Sequence, residues 1–175
     1  MKKNWGEPMK ILAFDQASRK TGAAWFEDTT LMGYQLIDFS KMKDADERTK
    51  LMILKMFELI EEIKPDAIVF ENVTLQRSPG AAIMLAQLAG SLIGYCYEHN
   101  IRGMMYKPSE WRRMLDFKQG SKVTREALKK QALDFVKEHY DLDVDEDEAD
   151  AICIGCAFGC AMHELFEKEE QVKAE

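Results

Sequence analysis

The hydrophobic positions change period along the chain, and each change marks an element. KILAFD (Lys10–Asp15), GAAWF (Gly22–Phe26) and LMGYQLIDF (Leu31–Phe39) are short apolar runs separated by turn-like stretches, which predicts three strands in an antiparallel meander. Leu51, Leu54, Phe57, Leu59, Ile60 and Ile63 then recur at helical spacing until Pro65 stops the pattern. AIVF (Ala67–Phe70) is continuously apolar, as a strand covered on both faces must be. After a loop over Asn72–Gly80, Ala81–Tyr97 reads as a helix rich in Ala, Gly and Ser, able to approach a neighbour closely, centrally or at a subunit interface. Ile101–Tyr106 predicts a fifth strand. Ser109–Leu115, Thr124–Tyr140 and a run from Asp147 to about Lys168 predict three more helices.

The order is β-β-β-α-β-α-β-α-α-α. It predicts an α/β fold, a five-stranded mixed sheet of three antiparallel strands followed by parallel ones, with helices on both faces. That strand order is similar to the ribonuclease H-like fold. Residues 1–175 are expected to form a single domain, with 1–9 and about 169–175 flexible.

Composition narrows the setting. A chain of 175 residues with 46% hydrophobic and 31% charged positions suits one soluble core. No uninterrupted apolar run approaches the roughly 20 residues of a membrane span, and the basic start lacks the apolar core of a secretory signal. Four cysteines, three of them near the C-terminus, do not form a disulfide pattern, so a cytoplasmic setting is expected. The formal net charge is −7, yet Arg102–Lys130 holds nine basic residues against three acids. That segment is +6 and the remainder −13, a basic stripe on an acidic body that suits a polyanion at one face.

The candidate chemistry lies in the acids. Asp15 ends the first strand and Glu71 the fourth, and in this topology the two strands are neighbours. A carboxylate at the end of a buried strand costs free energy unless it reaches water or a cation. A third group lies in DVDEDEAD (Asp143–Asp150), six acids in eight residues ahead of an apolar helix. Asp145 with Glu148, or Asp147 with Asp150, fits a capping box, which accounts for one or two of them. Asp147 and Asp150 also share a helix face, and Asp150 is expected to point towards the sheet. Hard oxygen donors without a converging histidine favour Mg²⁺ or Mn²⁺. Two such ions can activate a water and stabilise the leaving oxygen of a phosphodiester.

ILAFDQASRKTGAAW, IVFENV, SPGAAIMLAQLAGSLIG, YKPSEWRR and DEADAICIG, in this order across about residues 10–160, resemble the RuvC-type Holliday junction resolvases, most nearly their bacteriophage branch. The resemblance implies a homodimeric, metal-dependent endonuclease that cuts opposed strands of a four-way DNA junction in recombination and repair, in the host cytoplasm if of phage origin. It implies no membrane and no small-molecule cofactor. Asp15, Glu71, Asp147 and Asp150 would hold two Mg²⁺ ions, for which Mn²⁺ substitutes, and Ala81–Tyr97 would lie near the dimer interface. Lys107, Arg112, Arg113, Lys118, Lys122 and Arg125 would meet DNA, with Leu75 and Arg77 from the loop after Glu71. Arg112 stands where bacterial members usually carry a catalytic lysine, and a planar guanidinium is not an ammonium. Thr74, followed by Leu75, replaces an aromatic near the junction centre. That exchange implies weaker sequence preference and a broader range of branched substrates.

Two other features point to packing. Cys153, Cys156, Cys160 and His163 have zinc-like spacing, but one helix spreads them about 15 Å along its axis and cannot gather four ligands around one ion. The cysteines are expected to be small core residues. Trp111, amid the basic residues, is expected to anchor its short helix more than to touch DNA. The alternative function is a branched-DNA-binding protein on the same fold that does not cleave, which would have no need of all four acids.

Overall fold

The sheet has the order β3-β2-β1-β4-β5 and is covered on both faces by helices. The computed structural model describes residues 8–72 and 78–174, with side chains as far as 165. β1 (Lys10–Asp15), β2 (Lys20–Glu27) and β3 (Thr30–Asp38) form the expected antiparallel meander. β4 (Ala67–Glu71) runs parallel to β1, and β5 (Arg102–Tyr106) parallel to β4 at the sheet edge.

Strand alternation divides the core. Ile11, Ala13, Ala67 and Val69 face α3 (Pro108–Met114), α4 (Arg125–Tyr140) and α5 (Glu146–Ala174). Leu12, Phe14, Ile68 and Phe70 face α1 (Ala45–Ile63) and α2 (Pro79–His99). β1 and β4 are thus apolar on both sides, which is why they read as continuous runs rather than alternating ones.

Three helix boundaries differ from expectation, each for a local reason. α1 begins at Ala45, earlier than its apolar pattern, because Asp44 caps it by accepting from the Glu47 N–H at 2.9 Å. α2 begins at Pro79 behind the Ser78 cap, with proline where its missing N–H costs nothing. α5 continues past Lys168 to Ala174 through Glu, Gln, Lys and Ala, good helix formers that outnumber the single Val172.

Near its start α5 is not one-sided. Every residue from Ala149 to Gly159 except Asp150 is buried, because the helix lies between the sheet and α3 and α4. Cys153 and Cys156 belong to this core, as expected, while Cys160 is exposed. The close approach needs glycine on both partners. A Cβ on Gly155 would stand 2.3 Å from the Phe26 ring, and one on Gly22 would stand 1.8 Å from the Asp147 carbonyl oxygen.

α2 has the length and mean apolarity of a membrane-crossing helix, although polar Gln87 and Ser91 interrupt its apolar run. Leu88, Leu92 and Cys96 on its inner face are buried in the same core as Phe70, so it packs as a core helix. Ile83, Ala86, Gln87, Gly90, Gly94 and Tyr97 form its opposite, exposed face.

Candidate active site

The site is built from three chain ends that the sheet brings together. β1 and β4 pair in parallel with Phe14 beside Phe70, so the next residues, Asp15 and Glu71, leave the sheet side by side. In the β1–β2 ladder Asp15 stands opposite Gly22, and Gly22 is the seat of the first turn of α5. That contact carries Asp147 and Asp150 to the end of β1.

The acidic run separates by role. Asp145 begins α5: its carboxylate accepts from the Asp147 N–H at 3.1 Å, its carbonyl from Ala149 at 2.9 Å, and its N–H donates to Glu148 at 2.9 Å. This is the Asp145–Glu148 capping box. Asp145 also pairs with Lys20 at 3.1 Å, Glu146 with Lys129, and Asp143 with Lys137 at 3.1 Å. Asp147 and Asp150 are left facing the sheet end, where both act on the carboxyl of Asp15.

Electrostatics ties the four acids into one cluster. Burial raises Asp15 well above the ordinary carboxylate range, and the charges of Glu71, Asp150 and Asp147 add to the rise, with Arg112 opposing it. Burial raises Glu71 too, against a hydrogen bond from Trp111 and the charge of Arg112. Asp150 is pushed up to about 7 by burial, with Glu71 adding to the rise and Arg112 and Lys129 opposing it. Asp147 is raised by burial and by its neighbour Asp145. Without a cation, the cluster holds protons that isolated carboxyls would release.

Among the described residues, two buried side-chain polar atoms lack a hydrogen-bond partner, Asp150 Oδ1 and Arg112 Nε. Both belong to this site and they are of opposite sign. A buried orphan of this kind costs roughly 1–3 kcal/mol and calls for a missing ligand. The side chains as they stand do not enclose an ion: among the described residues no group of three His, Cys, Asp or Glu side chains is arranged to hold one.

Arg112 is half-buried, with its guanidinium 4.6 Å from the centre of the Trp111 ring and its charge on Asp15, Glu71 and Asp150. Lys107, Arg113, Lys118, Lys122 and Arg125 are exposed on and around α3 and the turn into α4. Gln131 holds that turn through both the N–H and the C=O of Lys118, at 2.7 and 3.0 Å. Leu75 and Arg77, with Thr74, lie outside the described residues.

Sequence reasoning missed three contributors. Trp111 is the expected core anchor, at 0% exposure, but its indole N–H also donates to Glu71 Oε1 at 2.9 Å. Gln16 donates to the Glu71 carbonyl at 2.6 Å and accepts from the Glu71 N–H at 3.2 Å. Lys129 carries positive charge to Asp147 and Asp150. The available signal for the first two was polarity in a buried setting: an indole N–H and an amide there need partners.

With this geometry in hand, the chain can be set beside known proteins. The family model for the crossover junction endodeoxyribonuclease RuvC matches residues 11–158. The chain belongs to the RuvC family. Two RuvC proteins of Stenotrophomonas maltophilia, from strains K279a and R551-3, are each 27% identical to it over 106 residues. Each match covers 58% of this chain and 61% of the relative's own length. Among solved structures, Thermus thermophilus RuvC in complex with a Holliday junction substrate aligns with a TM-score of 0.66 at 16% identity, over 85% of this chain and 92% of that one. The fowlpox virus resolvase, solved with Holliday junction DNA, gives 0.60 at 19% identity, over 88% and 99%. The yeast mitochondrial Holliday junction resolvase gives 0.62 at 14% identity, over 96% and 85%. The RuvC fold, ribonuclease H-like as expected, is therefore the fold of this chain.

Proposed function

We propose that this RuvC-family protein is a divalent-metal-dependent endonuclease that cleaves four-way DNA junctions, and other branched DNA, as a homodimer. One observation carries the reading: four acids from three distant parts of the chain form a half-buried, mutually repelling cluster, in which an Asp150 oxygen and an Arg112 nitrogen have no partner among the described residues. Asp143, Asp145 and Glu146 are each paired with a lysine, whereas the four acids of this cluster form no ion pair within 4 Å with any described residue.

The donor chemistry fits a hard dication. Asp15, Glu71, Asp147 and Asp150 offer only carboxylate oxygens, and two ions would offset their four charges. Closing on an ion takes side-chain rotation, driven by relief of the repulsion that now holds protons on the cluster. When bound, the ions supply an activated water and a counter-charge for the leaving oxygen. The chain's own residues do the rest. Asp15 and Glu71, at the ends of paired strands, keep their spacing because the sheet fixes it. Arg112 stabilises negative charge on the phosphate through its unpaired Nε. Lys107, Arg113, Lys118, Lys122 and Arg125 hold the flanking phosphates, and Leu75 and Arg77 extend the DNA contact towards the junction centre.

The homodimer reading is supported by the outer face of α2. Ile83 is 60% and Tyr97 82% exposed, and a Cβ on Gly90 or Gly94 would meet nothing within 4 Å. A smooth apolar face of this kind suits a second copy of the same helix.

The test is cleavage of a labelled synthetic four-way junction in Mg²⁺, Mn²⁺ or EDTA, with Asp15→Asn and Asp150→Asn as controls. Paired symmetric nicks in either metal, absent in EDTA and in both variants, are expected. Junction binding without cleavage by the intact protein in every metal would instead establish a binding protein.

A further inference from the structure

We propose that Trp111 is a positioning residue for Glu71, fixing one carboxylate oxygen so that the other is presented to the metal. The inference rests on the reading of Glu71 as a metal ligand.

Glu71 is held at three points. Gln16 grips its backbone N–H and C=O at 3.2 and 2.6 Å, which ties the end of β4 to the residue after Asp15. Trp111 donates to Oε1 at 2.9 Å, while Oε2 accepts no hydrogen bond from any described residue. The donor is itself immobile. The indole is fully buried, meets Phe117 edge-on at 5.9 Å between ring centres, and lies under the Arg112 guanidinium. An indole N–H can only donate, so it cannot compete for a cation, and it stays neutral at every working pH. A buried indole N–H needs an acceptor of some kind. This one spends its single donor on a strand-terminal carboxylate 40 residues away in sequence. Groups bonded to a metal ligand in this way set its rotamer, and their loss typically weakens metal binding roughly 10–100-fold.

The test separates positioning from packing. Trp111→Phe keeps a buried aromatic ring and removes the N–H together with three heavy atoms of the indole, so the resonance measurement on the wild-type protein, which leaves packing untouched, accompanies it. Mg²⁺ and Mn²⁺ binding to the full-length protein without DNA is measured by calorimetry for wild type, Trp111→Phe and Glu71→Gln. The indole N–H resonances of the ¹⁵N-labelled protein are followed in parallel; the chain has three tryptophans, and Trp111→Phe assigns the relevant one. The proposal expects the Trp111 resonance to move on Mg²⁺ addition and in Glu71→Gln. It also expects Trp111→Phe to bind metal roughly tenfold or more weakly while melting as a folded protein. Unchanged metal affinity in folded Trp111→Phe overturns it and leaves Glu71 as ligand intact. Unchanged affinity in Glu71→Gln shows instead that the underlying reading is wrong. Should Trp111→Phe not fold, Trp5→Phe and Trp25→Phe assign the resonance by elimination, and a wild-type Trp111 resonance that ignores saturating Mg²⁺ overturns the proposal by itself.

Discussion

At Asp150 folding and the proposed chemistry oppose each other most directly. Its carboxyl is raised to about 7 on folding, chiefly by burial, so the native state binds a proton that the unfolded chain has released. Stability from this group is complete below the unfolded value near 4 and is lost as pH climbs through about 7. Metal-free protein is therefore expected to melt progressively lower between about pH 4 and pH 7 and to level off above, the loss being on the order of a few kcal/mol. Asp150→Asn should flatten that profile and raise the metal-free melting temperature at pH 8, while abolishing cleavage. Added Mg²⁺ should stabilise wild type more at pH 8 than at pH 5. Thermal melts across pH with and without Mg²⁺ decide this. Arg112 is the counterweight, since its charge lowers three of the four acids. Arg112→Gln should lower the melting temperature at pH 8 and cost cleavage at least about tenfold. Arg112→Lys should restore the melting temperature more fully than the rate, because an ammonium supplies the charge but not the planar fork.

Among the elements, α5 governs the site, and Gly22 governs α5. The Asp147 carbonyl occupies the space where any side chain at position 22 would begin, 1.8 Å from its Cβ. Gly22→Ala must push the first turn of α5 away from β2, or β2 away from β1. Either shift parts Asp147 and Asp150 from Asp15. The expected outcome is a folded protein destabilised by about 1–3 kcal/mol with metal binding and cleavage both lost. Denaturant melts alongside calorimetry with Mn²⁺ check it. Wild-type metal affinity in that variant would mean that α5 does not set the cluster. Within α5 the acidic run reads as one block of charge, yet each acid has its own task. Asp145 and Glu148 cap the helix, Asp143, Asp145 and Glu146 pair with lysines, and Asp147 and Asp150 turn to the sheet. The i, i+3 spacing puts the latter pair on one helix face because helix geometry is local.

For the whole molecule, charge and apolar surface are segregated. The basic residues gather around α3 and the start of α4, while no element among the described residues covers the apolar face of α2. Gly94→Glu combined with Gly90→Glu should convert a dimer to a monomer in analytical ultracentrifugation. The monomer itself should keep its fold, since neither position meets a neighbour and Glu favours helix over Gly by roughly half a kcal/mol. A persistent dimer would place the interface elsewhere. On the DNA side, replacing Lys118, Lys122 and Arg125 together by Ala should flatten the dependence of log binding constant on log salt by up to about 3, one unit for each cation removed from a phosphate.

The sequence by itself determined what local rules control. The periods of the apolar runs set the strands, the helices and their order, and the carboxylate ends of ILAFD and AIVFE pointed to Asp15 and Glu71. Helix spacing selected Asp147 and Asp150. The tertiary structure decided what depends on contacts between residues far apart in the chain. Trp111 read as a core anchor because no local pattern reveals that its acceptor is a carboxylate 40 residues earlier. Lys129 and Gly22 had no signal for the same reason, and Gln16 showed only an amide that needed partners. Their roles arise only when β1, β4 and α5 share one end of the sheet. α5 is apolar on all sides from Ala151 to Gly159 because a second helix layer covers its far side. Hydrophobic pattern specifies which face is buried; which polar group meets which across that face is settled by packing, since hydrogen bonds and charges act over a few ångströms of space and not along the sequence.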